Sequence, residues 1–301
     1  MRETFNPLVS IIIPVYNGSN YMREAINSAI NQTYKNIEIL VINDGSTDDG
    51  ATERIALSYG DRIRYFYKEN GGCASALNFG ISKMQGEWFS WLSHDDVYEP
   101  TKVESAINNI IDNDLDYENT VVMCRTKVIN SEGNQIFRTT IPFKKGFISA
   151  DDMFKQFMYD RSLNGCALLI PKHILDVVGP FDVSYTYILD WIYWVNIVLN
   201  GFGFYNVQEY LVKNRRHSEQ VSVKKSQIRL TERFRFANYL IEKLHDDTQK
   251  LQLLWANCYR IGFIDGCKKI ERICNVGFGC KIYGNCLRWL LALKKAVKKV
   301  L

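Results

Sequence analysis

VSIIIPV, residues Val9–Val15, is the stretch that decides the fold. It is apolar and β-branched, too short for a helix, and typical of a strand buried in a parallel sheet. Residues 19–32 follow with helical spacing, because Tyr21, Ala25, Ile26, Ala29 and Ile30 share one face. Residues 37–42 (IEILVI) repeat the strand signal and end at the turn formers Asn43-Asp44-Gly45-Ser46. The alternation continues with a helix over 49–59, a strand over 63–67 and a helix opened by Gly71-Gly72 that runs to about 84. A strand over 87–92 then stops at Ser93-His94-Asp95-Asp96, and a helix covers 101–112. Strand–helix alternation at this spacing implies βαβ units and a mostly parallel sheet. Ligands of such sheets bind beyond the carboxyl ends of the strands. The polar clusters at 14–17, 43–46 and 93–96 are therefore expected together.

Beyond residue 112 the pattern is less regular. Residues 121–130 and 134–140 suggest a hairpin around Ser131-Glu132-Gly133-Asn134. Residues 166–171 suggest a strand, with a short helix after it that ends near Gly179. Residues 189–199 suggest an apolar helix, 202–212 a strand, and everything from about 226 helices.

Composition sets outer limits. With 301 residues, 47% hydrophobic and 23% charged, the chain can bury a sizeable core. A net charge of +4 does not by itself suggest nucleic acid, and no nucleic-acid-binding motif is visible. The eight cysteines form no C-x-x-C pair, so a zinc ribbon is not expected. The N-terminal residues lack the pattern of a secretory signal, and reduced cytosolic thiols are the expectation. No stretch approaches the roughly 18–20 uninterrupted apolar residues of a membrane span.

Asp95 and Asp96 follow an apolar, aromatic run, where two carboxylates are costly unless something neutralises them. A divalent cation does so, and a nucleotide diphosphate could share it. A turn or a helix cap before Thr101 is the plainer reading of the same residues.

The ordered motifs add to this reading. They are Val9-Ser10-Ile11-Ile12-Ile13-Pro14-Val15-Tyr16-Asn17, Ser28-Ala29-Ile30-Asn31-Gln32-Thr33-Tyr34 and Val41-Ile42-Asn43-Asp44-Gly45-Ser46-Thr47-Asp48, followed by the run from Asn70 to Gly80, then Gly86-Glu87-Trp88 and Ser93-His94-Asp95-Asp96-Val97-Tyr98-Glu99-Pro100. In order and spacing this set resembles the family 2 glycosyltransferases, which have the GT-A fold, over about the first 110 residues. The resemblance implies an α/β fold with a mostly parallel central sheet flanked by helices and a C-terminal helical extension. It implies a GT-A domain over 1–225, with a nucleotide-sugar-binding half (1–115) and an acceptor-binding half (116–225), and a helical region over 226–301. Pro14, Val15, Tyr16 and Asn17 would line the nucleobase pocket. Asp44 would accept the imide N–H of uracil or thymine, although Asp-Gly is also a strong turn pair. Asp48 reads as a helix cap. Asn70, Gly71 and Gly72 would pass close to the donor, Asp95 would contact the ribose or sugar, and Asp96 would hold Mn²⁺ or Mg²⁺. His94 occupies a variable position, where a solvated loop histidine is as good a reading as a site residue.

Two later segments extend the resemblance. The family usually shows an acidic pair before an aromatic helix. Here Leu189 replaces the first acid, and Asp190 resembles the catalytic base of inverting members. An acceptor hydroxyl needs such a carboxylate to take its proton, although Asp190 could also cap the helix after it. Asn214-Arg215-Arg216-His217 begins a segment of the type R-x-H-x-x-x-x-S. It implies Arg215 or Arg216 at the diphosphate and His217 as a phosphate contact or a further metal ligand, and a structural histidine is the plainer alternative.

The expected activity is inverting, metal-dependent transfer from a nucleotide-sugar, a UDP-sugar first, to an acceptor hydroxyl in cell-surface polysaccharide or glycoconjugate synthesis. A non-catalytic nucleotide-sugar or carbohydrate-binding protein of the same fold, and a metal-dependent phosphohydrolase, are the alternatives. Residues 284–301 (GNCLRWLLALKKAVKKVL) form a basic amphipathic pattern that could lie on an anionic membrane or pack on its own domain. The expected partners are thus a nucleotide-sugar donor and a saccharide or lipid-linked saccharide acceptor. The expected location is the cytoplasm, including the inner membrane face.

Overall fold

β1 (Val9–Val15) is buried along its whole length and is flanked by parallel partners on both edges, β2 (Ile37–Asp44) and β4 (Trp88–Trp91). Two-sided burial is why its sequence reads as an unbroken apolar run. The structure is a computed structural model that describes residues 5–139, 143–159, 161, 163–218, 220 and 228–276.

The chain divides into two compact units, Met1–Met153 with Leu163–Gln220, and Phe154–Ser162 with Val221–Leu301. In the first, α1 (Met22–Ile30), α2 (Ala51–Leu57), β3 (Arg64–Lys68) and α3 (Gly72–Lys83) alternate with β1, β2 and β4 as the sequence implies. α3 packs on β1 and β2 so closely that a Cβ at Gly80 would lie 2.5 Å from Ile12 Cγ2. After β4 come β5 (Val97–Tyr98), α4 (Lys102–Asp112), the hairpin strands β6 (Thr120–Ile129) and β7 (Gln135–Arg138), β8 (Gly146–Ile148) and α5 (Ala150–Met158). Then follow β9 (Leu168–Pro171), α6 (Lys172–Val178), α7 (Leu189–Leu199) and β10 (Gly203–Arg215).

The strand order is β3-β2-β1-β4-β9-β6-β10-β5, with β7 paired to β6 and β8 to β10. The β3-β2-β1-β4 portion is parallel, and β10 runs parallel to β6. Antiparallel pairs join β4 to β9, β9 to β6 and β10 to β5. β5 and β8 are too short to leave a periodic signal, and α5 lies where the sequence pattern is less regular. β10 extends three residues past the expected end at 212, and that extension carries Arg215.

The second unit contains α8 (Ile228–Lys243), α9 (Thr248–Ile261) and α10 (Ile264–Ile273). Asp247 caps α9 by accepting the Lys250 N–H at 2.9 Å. Phe234 of α8 stacks on Phe263 at 4.7 Å between ring centroids. Asn257 of α9 donates to the Met158 carbonyl at 2.6 Å, which ties residues 154–162 to these helices. Among the described residues no helix is long and apolar enough to cross a membrane. The basic pattern at 284–301 lies outside the described residues. Cys73, Cys124, Cys166 and Cys258 are free thiols.

Candidate functional site

Three strand ends converge as the parallel topology requires. At the end of β1, Val15 is buried and the Tyr16 ring is 46% exposed, free to meet a planar ligand. Asn17 laces this end to the next loop: its N–H donates to Ser46 Oγ at 2.9 Å and its Oδ1 accepts the Thr47 N–H at 2.7 Å. Asp48 accepts the Thr52 N–H near the start of α2, in the manner of a cap.

Asp44 ends β2 and is buried. Oδ1 accepts from Lys68 Nζ at 2.6 Å and from the Gly71 N–H at 3.1 Å, and Oδ2 accepts the Gly72 N–H at 2.8 Å. Lys68 stands opposite Asp44 in the β2–β3 register. Asn70 donates to the Asp44 carbonyl at 2.8 Å. Gly45 makes this approach possible: its φ is +69°, and a Cβ there would lie 2.6 Å from the Asn70 nitrogen. The Asp44, Asn70, Gly71 and Gly72 of the sequence reading thus form one hydrogen-bonded cluster, and Asp44 faces it with three protein donors already on its carboxylate.

Asp95 and Asp96 separate sharply in role. Asp96 is 1% exposed. Its Oδ1 accepts the Arg215 N–H at 2.8 Å, Asn214 Nδ2 reaches both oxygens at 3.1 Å, and the Cys166 thiol donates to Oδ2 at 3.2 Å. Burial and then the Asp95 charge raise its pKa above the usual carboxylate range, against the lowering effect of those donors. Asp95 instead presents Oδ2 to His217 Nε2 at 3.0 Å and to Gln220 Nε2 at 3.2 Å. The Tyr21 ring braces the imidazole at 4.9 Å between centroids.

His94 is half-buried against Gly18, where a Cβ would lie 2.7 Å from His94 Cδ2. Burial depresses its pKa, with Asp95 opposing and His217 adding to the effect. The solvated loop reading of His94 is therefore corrected: the ring belongs to the Asp95–His217 neighbourhood.

Of the two arginines expected at the diphosphate, Arg215 needs correction. Arg215 is fully buried and its guanidinium is committed. Nε donates to the Asp95 carbonyl at 2.9 Å, Nη1 to the carbonyls of Asn130 and Ser131 at 3.3 and 3.0 Å, and Nη2 to Glu24 at 2.7 Å. It joins α1, the β6–β7 turn and the Asp95 backbone, which leaves no face for a diphosphate. Arg216 is exposed, with its guanidinium 5.0 Å from the Phe137 ring centroid on β7.

Asp190 lies in the first turn of α7, and its Oδ1 accepts the Trp191 N–H at 2.7 Å. Burial raises its pKa to about 6. Asn78 of α3 holds the approach to this helix: its Oδ1 accepts the Phe181 N–H and its Nδ2 donates to the Phe181 carbonyl, both at 2.8 Å. Cys73, in the first turn of α3, reports the convergence. Burial pushes its thiol up to about 12, and the charges of Asp190, Asp44 and Asp95 all add to that rise. Carboxylates from three distant segments thus lie near enough for their charges to act on one side chain.

Sequence reasoning missed Lys68, Asn78, Cys166, Asn214, Gln220 and Glu24. The β2–β3 register could have exposed Lys68, and Asn214 and Gln220 adjoin the His217 segment. Glu24 carried no local signal.

Three comparisons bear on this geometry. The family model described as Glycosyl transferase family 2 matches residues 10–168. An uncharacterized glycosyltransferase of Rickettsia typhi is 48% identical over 229 residues, which cover 73% of this chain and 68% of that protein. The chain spans only 36%, 36% and 32% of three other rickettsial relatives of similar identity. A chondroitin synthase of Pasteurella multocida is 39% identical over 132 residues, covering 43% of this chain and 13% of that protein. The crystal structure of S. aureus TarS 1–349 in complex with UDP-GlcNAc aligns with a TM-score of 0.65 at 18% identity, over 82% of this chain and 70% of that one.

Proposed function

The chain belongs to glycosyl transferase family 2, and on that premise we propose that it transfers a sugar from a UDP-sugar to an acceptor hydroxyl with inversion, using a divalent metal at Asp95 and His217 and a base at Asp190. The observation that carries this reading is the Asp95–His217 pair set beside the Asp44–Gly71–Gly72 cluster at neighbouring strand ends, with the charges of Asp44, Asp95 and Asp190 all acting on Cys73 between them in the chain. A donor pocket needs one carboxylate at the base, one at the diphosphate and one across the anomeric carbon.

Asp44, Asn70 and the exposed Tyr16 ring form the base end. Uracil suits it, because an imide N–H can add to the Asp44 carboxylate while the Lys68 ammonium faces a ring carbonyl. UDP-GlcNAc in the TarS complex supports a uridine donor.

Asp95 and His217 fit a divalent cation by their chemistry. They offer one carboxylate oxygen and one imidazole nitrogen a hydrogen bond apart. Among the described residues no group of three or more His, Cys, Asp or Glu converges as a metal site. Such a pair suits a cation whose remaining ligands are substrate phosphates and water. The imidazole favours Mn²⁺ over the more strictly oxygen-seeking Mg²⁺. Asp96 does not fit this role, since its oxygens are buried under protein donors. A cation at Asp95 would supply positive charge where negative charge develops on the leaving diphosphate.

Asp190 takes the proton of the acceptor hydroxyl. The oxygen forms its bond to the anomeric carbon as the bond to the diphosphate breaks and UDP leaves. A raised pKa near 6 keeps Asp190 ionised at neutral pH and makes it a stronger base than an ordinary aspartate. The chondroitin synthase among the relatives supports a polysaccharide or glycoconjugate acceptor.

The test is the anomeric configuration of the product by NMR, together with Asp190→Asn. Inversion, and loss of transfer with UDP affinity kept, is the expected result. A retained configuration overturns the mechanism, and loss of UDP affinity gives Asp190 a structural role.

A further inference from the structure

One face of the β7-β6-β10 strands gathers positive charge that the proposed reaction does not use. Arg125 and Lys127 alternate on β6, so their side chains share a face. Lys127 stands in register with Arg138 on β7 and with Lys213 on β10, which sets three cations side by side across three neighbouring strands. Like charges placed opposite one another destabilise a sheet. Glu99 offsets part of this, pairing with Lys127 at 2.8 Å and Lys213 at 3.6 Å.

The arginines are uncompensated. Among the described residues, neither Arg125 nor Arg138 has an ion pair or a hydrogen bond from its guanidinium, and Arg125 Nε is shut off from solvent with no partner. Both lie near the Tyr210 ring, at 5.5 and 5.1 Å from its centroid. A ring beside two guanidiniums orients them without neutralising them. Arg138 is exposed, and the Lys213 side chain is 37% exposed.

The position of the patch suggests what it meets. β10 carries Lys213 and then Arg215, whose N–H holds Asp96, and His217 lies two residues further on. At a rise of about 3.3 Å per residue the cation row begins roughly 7 Å from Arg215. An acceptor chain that enters the proposed site along this strand passes over the row.

We infer that this face is a subsite for an acceptor saccharide carrying anionic groups, carboxylate or phosphate, which Arg125 and Arg138 engage with Lys127 and Lys213. Guanidinium forks match both anions in geometry. The inference rests on the transfer reading for the identity of the ligand as an acceptor, but the binding it predicts is measurable without transfer.

The experiment measures fluorescence anisotropy of three labelled oligomers of equal length: a hyaluronan oligosaccharide with carboxylates, a glycerol-phosphate oligomer with phosphates, and an uncharged chitooligosaccharide. Single-stranded DNA and vesicles containing phosphatidylglycerol are run alongside. Arg138→Gln, on an exposed edge strand, and the Arg125→Gln/Arg138→Gln pair are compared with the unmodified chain, with UDP titration and thermal melting as checks. The expected result is at least tenfold preference for one anionic oligosaccharide over the neutral one. Arg138→Gln should cut that binding at least threefold and the pair at least tenfold, with UDP affinity and melting unchanged. Which anionic oligomer binds distinguishes carboxylate from phosphate. Equal binding of charged and neutral oligomers, full binding by the double variant, or binding of DNA or vesicles with neither saccharide, overturns the inference. If UDP fails to bind while the anionic oligomer still does, the donor reading fails and the anion subsite stands.

Discussion

Asp95 Oδ2 and His217 Nε2 lie 3.0 Å apart, although 122 positions separate them in the chain. The neighbouring Asp96 meets no such partner and is enclosed by the Arg215 N–H, Asn214 and Cys166. Adjacent carboxylates therefore predict different losses. Asp96→Ala leaves the buried Arg215 N–H without an acceptor and should cost about 1–3 kcal/mol of stability. Asp95→Asn should leave the melting temperature nearly unchanged. Thermal melting of both variants checks this, and a larger loss for Asp95→Asn would reverse the two roles.

The base proposed at Asp190 predicts a pH dependence. In that role its active form is the ionised one, and its pKa is raised to about 6 by burial. The rate should hold above that pH and fall about tenfold per unit below it, as the proton occupies the base. A profile flat down to pH 4.5, the range of an unperturbed carboxylate, would remove Asp190 from the proton transfer.

Arg215 serves as a buried strut. Arg215→Met strands the carbonyls of Asp95, Asn130 and Ser131 and should cost about 3 kcal/mol, since bonds from a charged donor contribute more than neutral ones. Glu24→Gln at the other end of the ion pair should cost under about 1 kcal/mol, because the Glu24 side chain is 56% exposed. Equal losses measured by urea unfolding would mean the ion pair, and not the carbonyl contacts, is what matters.

Gly80 tests the packing of α3 on the sheet. A Cβ there would come within 2.5 Å of Ile12 Cγ2, so Gly80→Ala should destabilise by about 1–3 kcal/mol through overpacking. Unchanged stability would mean that α3 shifts freely on β1 and β2.

The parallel half of the fold was legible in the sequence because each element there is regular and buried. β1 matches its expected limits, Val9–Val15, and α7 matches Leu189–Leu199. The antiparallel strands at β5 and β8 were not legible, since two or three residues carry no period. The strand-end motifs named Asp44, Asn70, Gly71, Gly72, Asp95 and His217, which the fold draws into hydrogen-bonded groups. Their division of labour was not legible, because Asp95 and Asp96 differ only in what lies across from them in three dimensions. Arg215 shows the same limit: next to an exposed arginine it reads as a cation for phosphate, and only the fold shows Glu24, Asn130 and Ser131 around it.

The proposed donor site is tested most directly by calorimetric titration of UDP with Mn²⁺ present and with Mn²⁺ removed by chelation, in the unmodified chain and in His217→Ala. Removal of Mn²⁺ should weaken UDP binding by about tenfold or more, and His217→Ala should reduce or abolish that difference, because the cation loses its imidazole ligand. UDP binding that is equally tight with and without the metal, or a metal dependence that His217→Ala leaves intact, would contradict a donor site built on Asp95 and His217.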